Sequence, residues 1–285
     1  MLKKQPKLDP TSPEIATITT RAEKKQVEER VAIGANVVYE AIRREGEEEL
    51  SRTVAALAWS AFAAGLSMGF SFIAEGLLQS HLPDQPWHPL ISRAGYSVGF
   101  LIVVLGRQQL FTENTLTVVL PLLVRKNLKT LSYMLRLWAV VLIANLLGTY
   151  LFALCLGKIR IFDAHTEQCL TQIGAAHLGM SFGLVTVKAI FAGWLIALMV
   201  WLLPAAESAR VSIIIIVTYL IGLAGFAHVI AGSTTMFFLV VTKVITWPVY
   251  FMQFFLPSLL GNVIGGVSLV AALAHAQVAG GKNPL

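Results

Sequence analysis

Windows of about twenty predominantly apolar residues recur along the chain from Val54 onward, and a bilayer core needs roughly 20 helical residues per crossing. The pattern predicts spans at about 54–79, 92–124, 130–156, 174–203, 210–244 and 254–276. The second and fifth windows are longer than one crossing needs, and each carries a polar interruption. One runs from Gly106 to Asn114 (GRQQLFTEN), the other from Gly225 to Thr234 (GFAHVIAGST). Polar, irregular backbone at membrane depth is tolerated only where protein or a water-filled cavity covers it. Both interruptions are therefore expected to face inward.

Weak internal similarity follows the same division. Asn145-Leu-Leu-Gly148 in span three resembles Asn262-Val-Ile-Gly265 in span six, and each lies 34 residues beyond its interruption, counted from Phe111 and from His228. The stretch Ala61 to Leu66 likewise resembles Ala189 to Trp194. Three spans per half set the second half upside down relative to the first. The expected fold is an all-α membrane protein with six transmembrane helices, arranged as two inverted three-helix repeats with broken second and fifth helices. Such breaks at matching positions of inverted halves point to a transport site near the midplane.

Composition agrees with this pattern: 56% of the 285 residues are hydrophobic and 13% charged, with mean hydropathy +0.70, against roughly a quarter charged in soluble domains. No room remains for a separate soluble enzyme domain. The net charge of +6 comes without a basic stripe interleaved with aromatics, so no nucleic-acid partner is expected. Topology accounts for the excess. Arg43, Arg44 and Arg52 precede span one, and Arg125, Lys126, Lys129 and Arg136 crowd the connection after span two, which orients those ends and both termini to the cytoplasm. The connections after spans one, three and five hold only Arg93, then Lys158 and Arg160, then Lys243.

Residues 1–50 form a charged cytoplasmic tail without a signal-peptide core. Within it, Val27, Val31, Ile33, Val37, Val38 and Ile42 fall near helical spacing, as in an amphipathic helix on the membrane surface or on a neighbour. Repeats at 51–156 and 174–276, an outer loop at 157–173 and a short tail at 277–285 complete the expected organisation. Cys155 and Cys169 give neither a disulfide framework nor a zinc spacing; two free thiols or one bridge are both compatible. No metal or other cofactor is expected.

The residues able to carry chemistry cluster at the interruptions. His228 stands in apolar surroundings, where an ionisable group is costly and is normally paired or turned to water. Its unperturbed pKa of about 6.5 suits lending a proton or a positive field to a passing anion; the plainer alternative is an imidazole bonded to a hydroxyl such as that of Thr112. Helices restarting after each break would aim free N–H groups at the pore. Phe111 suits a hydrophobic constriction, with Tyr96 and Phe100 as companions or as packing residues. Lys188 either snorkels to the outer interface or gathers anions in a vestibule. Arg107 and Glu113 flank the first break and are read as structural bracing, paired with each other or with loop backbone. Glu75, near the outer end of span one, simply reaches the interface on this reading. Gly65-Leu-Ser-Met-Gly69 matches the G-x-S-x-G pattern of intramembrane serine proteases through Ser67. The same glycines make an ordinary close helix contact, and the serine and histidine fall on the wrong spans for a rhomboid.

Leu110-Phe-Thr112, Lys188-Ala-Ile with Gly193-Trp-Leu195, Gly225-Phe-Ala-His228 and Gly261-Asn-Val-Ile-Gly-Gly266 together resemble the formate/nitrite transporter family over about residues 35–276. Arg107 to Thr115, Arg136-Leu-Trp138 and His275-Ala-Gln277 are similar to a bacterial inner-membrane branch of it. The resemblance implies an aquaporin-like protomer in a homopentamer of the inner membrane, each subunit passing small monovalent anions or their weak acids, such as formate, nitrite or hydrosulfide. It further implies His228 as the central pore histidine and Thr112 as its hydroxyl partner. Lys188 would be a vestibule lysine, Phe111 with Phe100 the inner constriction, and Ile221 a constriction residue on the other side. From the residues themselves, Asn114, Asn145 and Asn262, with Arg107 and Glu113, are expected to support the broken helices. Where the family commonly carries polar groups, this chain has Gln109 before Leu-Phe-Thr, Ala227 before the histidine, Gly232 four residues after it and Gly193 before Trp194. An anion pathway is the leading expectation. A neutral-solute pore, an intramembrane serine hydrolase and a non-conducting accessory protein are the competing ones.

Overall fold

The computed structural model describes residues 33–271, 273 and 275–277. The part of the expected amphipathic helix before Ile33 and the end of the C-terminal tail lie outside the described residues. Among the described residues every regular element is helical. Helix α1 (Ala35–Ser51) buries Val38, Ile42, Gly46 and Leu50, a four-residue spacing that makes one stripe of the helix surface. Gly46 lies so close to the Thr117 carbonyl that any side chain there would overlap it. Val37 and Ile33 point outward instead.

Among the described residues six helices are long and apolar enough to cross a membrane: α2 (Val54–His81), α3 (His88–Leu105), α5 (Leu128–Ile159), α7 (Phe182–Ala205), α8 (Glu207–Ala224) and α10 (Trp247–Ser268). Two shorter apolar helices, α4 (Asn114–Arg125) and α9 (Val229–Val241), follow α3 and α8. Local caps fix several starts: Thr53 accepts from Ala56 N–H at 3.2 Å before α2, and Asn127 from Thr130 N–H at 2.8 Å before α5. These side chains satisfy N–H groups that a helix start leaves unpaired.

The fourth span begins at Phe182, later than the position near 174 expected from hydropathy. Ile173, Gly174 and Ala175 belong instead to a separate helix, α6 (Ala164–Ala175), capped by Asp163 through the His165 and Thr166 N–H groups. Gly179 at φ +77° and the Ser181 cap then redirect the chain. Apolar composition alone could not see that boundary, because both flanks are apolar. Span six begins at Trp247, earlier than position 254, with Pro248 in its first turn and a π-helical segment at Tyr250–Phe255 ahead of Pro257.

α2 packs along α5, and α7 along α10. Gly65 is pressed against the Asn145 carbonyl in the first pair and Gly193 against the Asn262 carbonyl in the second, so closely that a side chain at either glycine would collide with backbone. The G-x-S-x-G stretch is thereby explained as packing: Gly65 and Gly69 face α5, and Ser67 is buried without a histidine partner among the described residues. Large apolar side chains on the outer faces, including Ile143, Leu147, Ile216 and Leu220, remain exposed. Such a surface suits lipid or a neighbouring subunit rather than water.

Candidate functional site

Between α3 and α4, residues 106–113 leave the helical path, and between α8 and α9 residues 225–228 do so. Two fully buried asparagines hold these stretches. Asn145 Oδ1 accepts from Phe111 N–H at 2.9 Å, while its Nδ2 donates to the carbonyls of Ala61 at 2.7 Å and Gln109 at 2.9 Å. Asn262 repeats the set: Oδ1 accepts from Val229 N–H at 2.8 Å, and Nδ2 donates to Ala189 at 2.8 Å and Ala227 at 2.9 Å. Each amide thus satisfies backbone groups that would otherwise be stranded in an apolar interior. The equivalent of Phe111 in this pattern is Val229, not His228; the matched register differs by one residue from the sequence count.

His228 caps α9. Its Nδ1 accepts from Ala231 N–H at 3.1 Å, and its Nε2 lies 2.7 Å from Thr112 Oγ1, with both side chains buried. With the Nδ1 lone pair engaged, the proton sits on Nε2 and is donated to the threonine oxygen. Thr112 lies within the first non-helical stretch, and its carbonyl accepts from Thr115 Oγ1 at 2.7 Å. The contact therefore joins the two non-helical stretches directly. Phe100 sets its ring edge-on to the imidazole at 5.1 Å, and Tyr96 lies 5.3 Å from Phe100.

One chamber is lined by His228 itself and a second by Gln109 and Glu113, which lie on either side of Thr112 in the chain; no residue lines both. The first, about 40 Å³, is lined by His228, Tyr96, Ile221, Gly225, Glu75 and Arg93 among others. A single water needs roughly 10–15 Å³ on this measure, so the chamber holds only a few atoms' worth of solute. Lys188 stands beside it, donating to the Gly225 carbonyl at 3.2 Å, where Gly225 takes φ +59° to end α8. The second chamber, about 130 Å³, is lined by Glu45, Glu49, Arg107, Gln108, Gln109, Glu113, Thr117 and Arg210 with apolar neighbours. Phe111 is buried between the Thr112 contact and Trp138, whose ring is 5.8 Å away.

Arg107 does not brace Glu113 or the loop backbone. Its guanidinium reaches Glu45 on α1 at 3.1 Å, because a left-handed residue at φ 49° turns the side chain out of the break. Asn114 holds the loop from within, donating to Gln109 Oε1 at 2.9 Å and to the Leu110 carbonyl at 3.1 Å. Glu75 is buried rather than interfacial and is paired with Arg93. Arg93, Gln108 and Arg210 were not singled out by sequence. Arg93 reads there as one outer-loop charge, and only the fold turns it onto an acid of the preceding span.

These features define a helical membrane protein with six apolar spans and two polar, non-helical stretches joined at a buried histidine. The chain belongs to the formate/nitrite transporter family, whose model matches residues 36–276. It is 40% identical over 276 residues to inner membrane protein YfdC of Escherichia coli K12, covering 95% of this chain and 89% of that protein. It is 26% identical to the formate channel BtFdhC of Bacillus thuringiensis, covering 82% and 91%. Among solved structures, an FNT family ion channel matches at TM-score 0.76 and 17% identity over 85% of this chain and 99% of that one. A pentameric formate channel with formate bound matches at TM-score 0.68 and 20% identity, covering 79% and 98%.

Proposed function

We propose that this chain is a channel or proton-coupled transporter for small monovalent anions or their weak acids, of the formate, nitrite or hydrosulfide kind. The observation that carries the reading is the buried 2.7 Å contact between His228, which lines one chamber, and Thr112, whose chain neighbours Gln109 and Glu113 line a second. A bare anion crossing the aromatic surroundings of Phe100 and Phe111 would lose hydration worth several kcal/mol. Protonation near His228 removes most of that cost. For that step the neutral imidazole takes one proton from water on the first-chamber side and passes one to the anion, returning to its neutral form, while the Thr112 hydroxyl holds the ring in place. Lys188, beside the first chamber, supplies the positive charge that gathers anions, since Arg93 is balanced by Glu75, and the small volume restricts them to a few heavy atoms.

The matched clamps of Asn145 and Asn262 support a finer reading, in which 51–156 and 174–276 are inverted repeats of an aquaporin-like protomer and the breaks in spans two and five are the pore lining. The connection at 157–173 then includes α6 on the outer face. The basic residues near α1 and between α4 and α5 support cytoplasmic termini, and the YfdC relative supports an inner-membrane location. Likeness to a pentameric channel supports a homopentamer. On this account the protein moves its solute without making or breaking covalent bonds other than to protons.

A neutral-solute pore is the second reading, favoured by one observation: the Lys188 ammonium is engaged with a backbone carbonyl rather than turned free into the chamber. Uptake into proteoliposomes of formate, nitrite, hydrosulfide, acetate, lactate and glycerol at external pH 5.5 and 7.5 separates the two. The anion reading expects formate or a similar anion to enter faster at the acidic pH. Uptake of glycerol alone, independent of pH, would replace it with the neutral one.

A further inference from the structure

The second chamber holds more chemistry than a passive exit. Three of its five charged residues are paired: Glu45 with Arg107 at 3.1 Å, and Glu49 with Arg52, outside the lining, at 3.0 Å. The remaining two, Glu113 from the first non-helical stretch and Arg210 at the start of the helical part of α8, both line the cavity. Among the described residues neither lies within ion-pair distance of any opposite charge. Glu113 Oε1, Arg210 Nε and Gln108 Oε1 are all buried and meet no hydrogen-bond partner among the described residues.

Buried polar groups are nearly always satisfied, and unsatisfied ones on three residues that line a single cavity point to a partner from that cavity. Water can fill the space, but the arrangement fits one solute class closely. An undissociated carboxylic acid presents one O–H donor and one carbonyl acceptor. The Glu113 carboxylate offers acceptors only and the Arg210 guanidinium donors only. Both line one cavity of about 130 Å³, room for an acid of a few heavy atoms together with water.

We propose that this chamber is a docking and deprotonation site for a small monocarboxylic acid, with Glu113 as proton acceptor and Arg210 as the group that holds the resulting carboxylate. This rests on the transport reading above. The acid O–H bond breaks as a new O–H bond forms on Glu113, leaving the carboxylate against Arg210. Glu113 then passes the proton to water on the α1 side and returns to its starting state. Glu45, Glu49, Arg107 and Arg210 are the charged groups that share the cavity with Glu113. The first two acids are tied up in ion pairs, which leaves Glu113 as the free proton acceptor. His228 manages the proton on one side of the aromatic barrier and Glu113 collects it on the other.

Right-side-out and inverted membrane vesicles carrying the full chain test this with radiolabelled formate, varying pH on the α1 side while the opposite side is fixed. Glu113→Gln should abolish the dependence on α1-side pH, and Glu113→Asp, which keeps the carboxylate, should retain it. Arg210→Gln should raise KM for formate about tenfold, the size of one lost charge-assisted hydrogen bond, with Arg210→Lys recovering part of the loss. Wild-type behaviour of Glu113→Gln and Arg210→Gln, in a protein whose His228→Asn variant still loses its dependence on the opposite pH, would sink the site and spare the transport reading. Equal loss of formate flux in Glu113→Gln and Glu113→Asp would also count against it, because a structural role makes no distinction between carboxylate and amide chemistry. A wild-type protein that carries no formate at all would remove both proposals together.

Discussion

Replacing Asn145 by alanine should loosen the first non-helical stretch about as much as truncating a fully buried apolar neighbour. The amide makes three hydrogen bonds, at 2.9, 2.7 and 2.9 Å, to Phe111 N–H and to the carbonyls of Ala61 and Gln109. Its site is fully buried, so water does not substitute for the lost partners. Hydrogen bonds between membrane helices average about 0.6 kcal/mol, and typical intramolecular ones reach about 1.5 kcal/mol. Three of them amount to about 2–4 kcal/mol. For a chain of this size each kcal/mol lowers Tm by about 2–4 °C, so a fall of about 4–16 °C is expected. Thermal unfolding of the detergent-purified protein, followed by tryptophan fluorescence and by size-exclusion recovery, measures it. Asn262→Ala should fall by a similar amount, because its three bonds match in kind and length. A change below 1 °C in either variant would mean that the clamps do not hold the non-helical stretches.

Three further outcomes follow from the same geometry. Lys188→Ala should slow formate uptake severalfold at low ionic strength and less at high salt, since the loss is of one positive charge beside the first chamber; initial rates at two salt concentrations read this. Gly193→Val should prevent α7 from closing on the Asn262 carbonyl, giving little folded protein on size exclusion, whereas Gly183→Val, in open space at the start of α7, should express normally. The Arg43 and Arg44 hydrogen bonds hold the Glu40 carboxyl down to about 2. A depressed acid stabilises fully above its ordinary pKa and loses that contribution only as pH falls through the folded value. The α1 network should therefore stay intact between pH 5 and 8, and proteolysis within α1 should proceed at the same rate at both ends of that range.

Much of this architecture is visible in the pattern of residues because membrane helices announce themselves by length and composition. The six spans and the places where span two and span five turn polar follow from hydropathy alone. Asn145 and Asn262 stand out because an amide in an apolar run needs partners, and both find backbone. The finer register was less accessible. Counting from His228 put Asn262 one residue out, since periodicity does not tell which N–H an amide will reach. α6 was invisible because its apolar residues merge with those of the next span. Arg107 and Glu113 looked like a pair on proximity alone, but Arg107 reaches Glu45 on α1, an element far away in sequence, and Glu113 has no ion-pair partner among the described residues. Glu75 and Arg93 failed for the same reason: a charge near a helix end reads as interfacial until the fold supplies its counter-ion.

The account depends above all on a proton at His228 easing an anion through an apolar passage. Formate uptake into proteoliposomes, measured for wild type and His228→Asn from external pH 5 to 8 with the internal pH fixed, tests this most directly. Wild-type uptake should rise as the external pH falls, and the variant, which keeps a hydrogen-bonding side chain but no titratable group, should show a flat profile. The same pH profile in both proteins would contradict the mechanism.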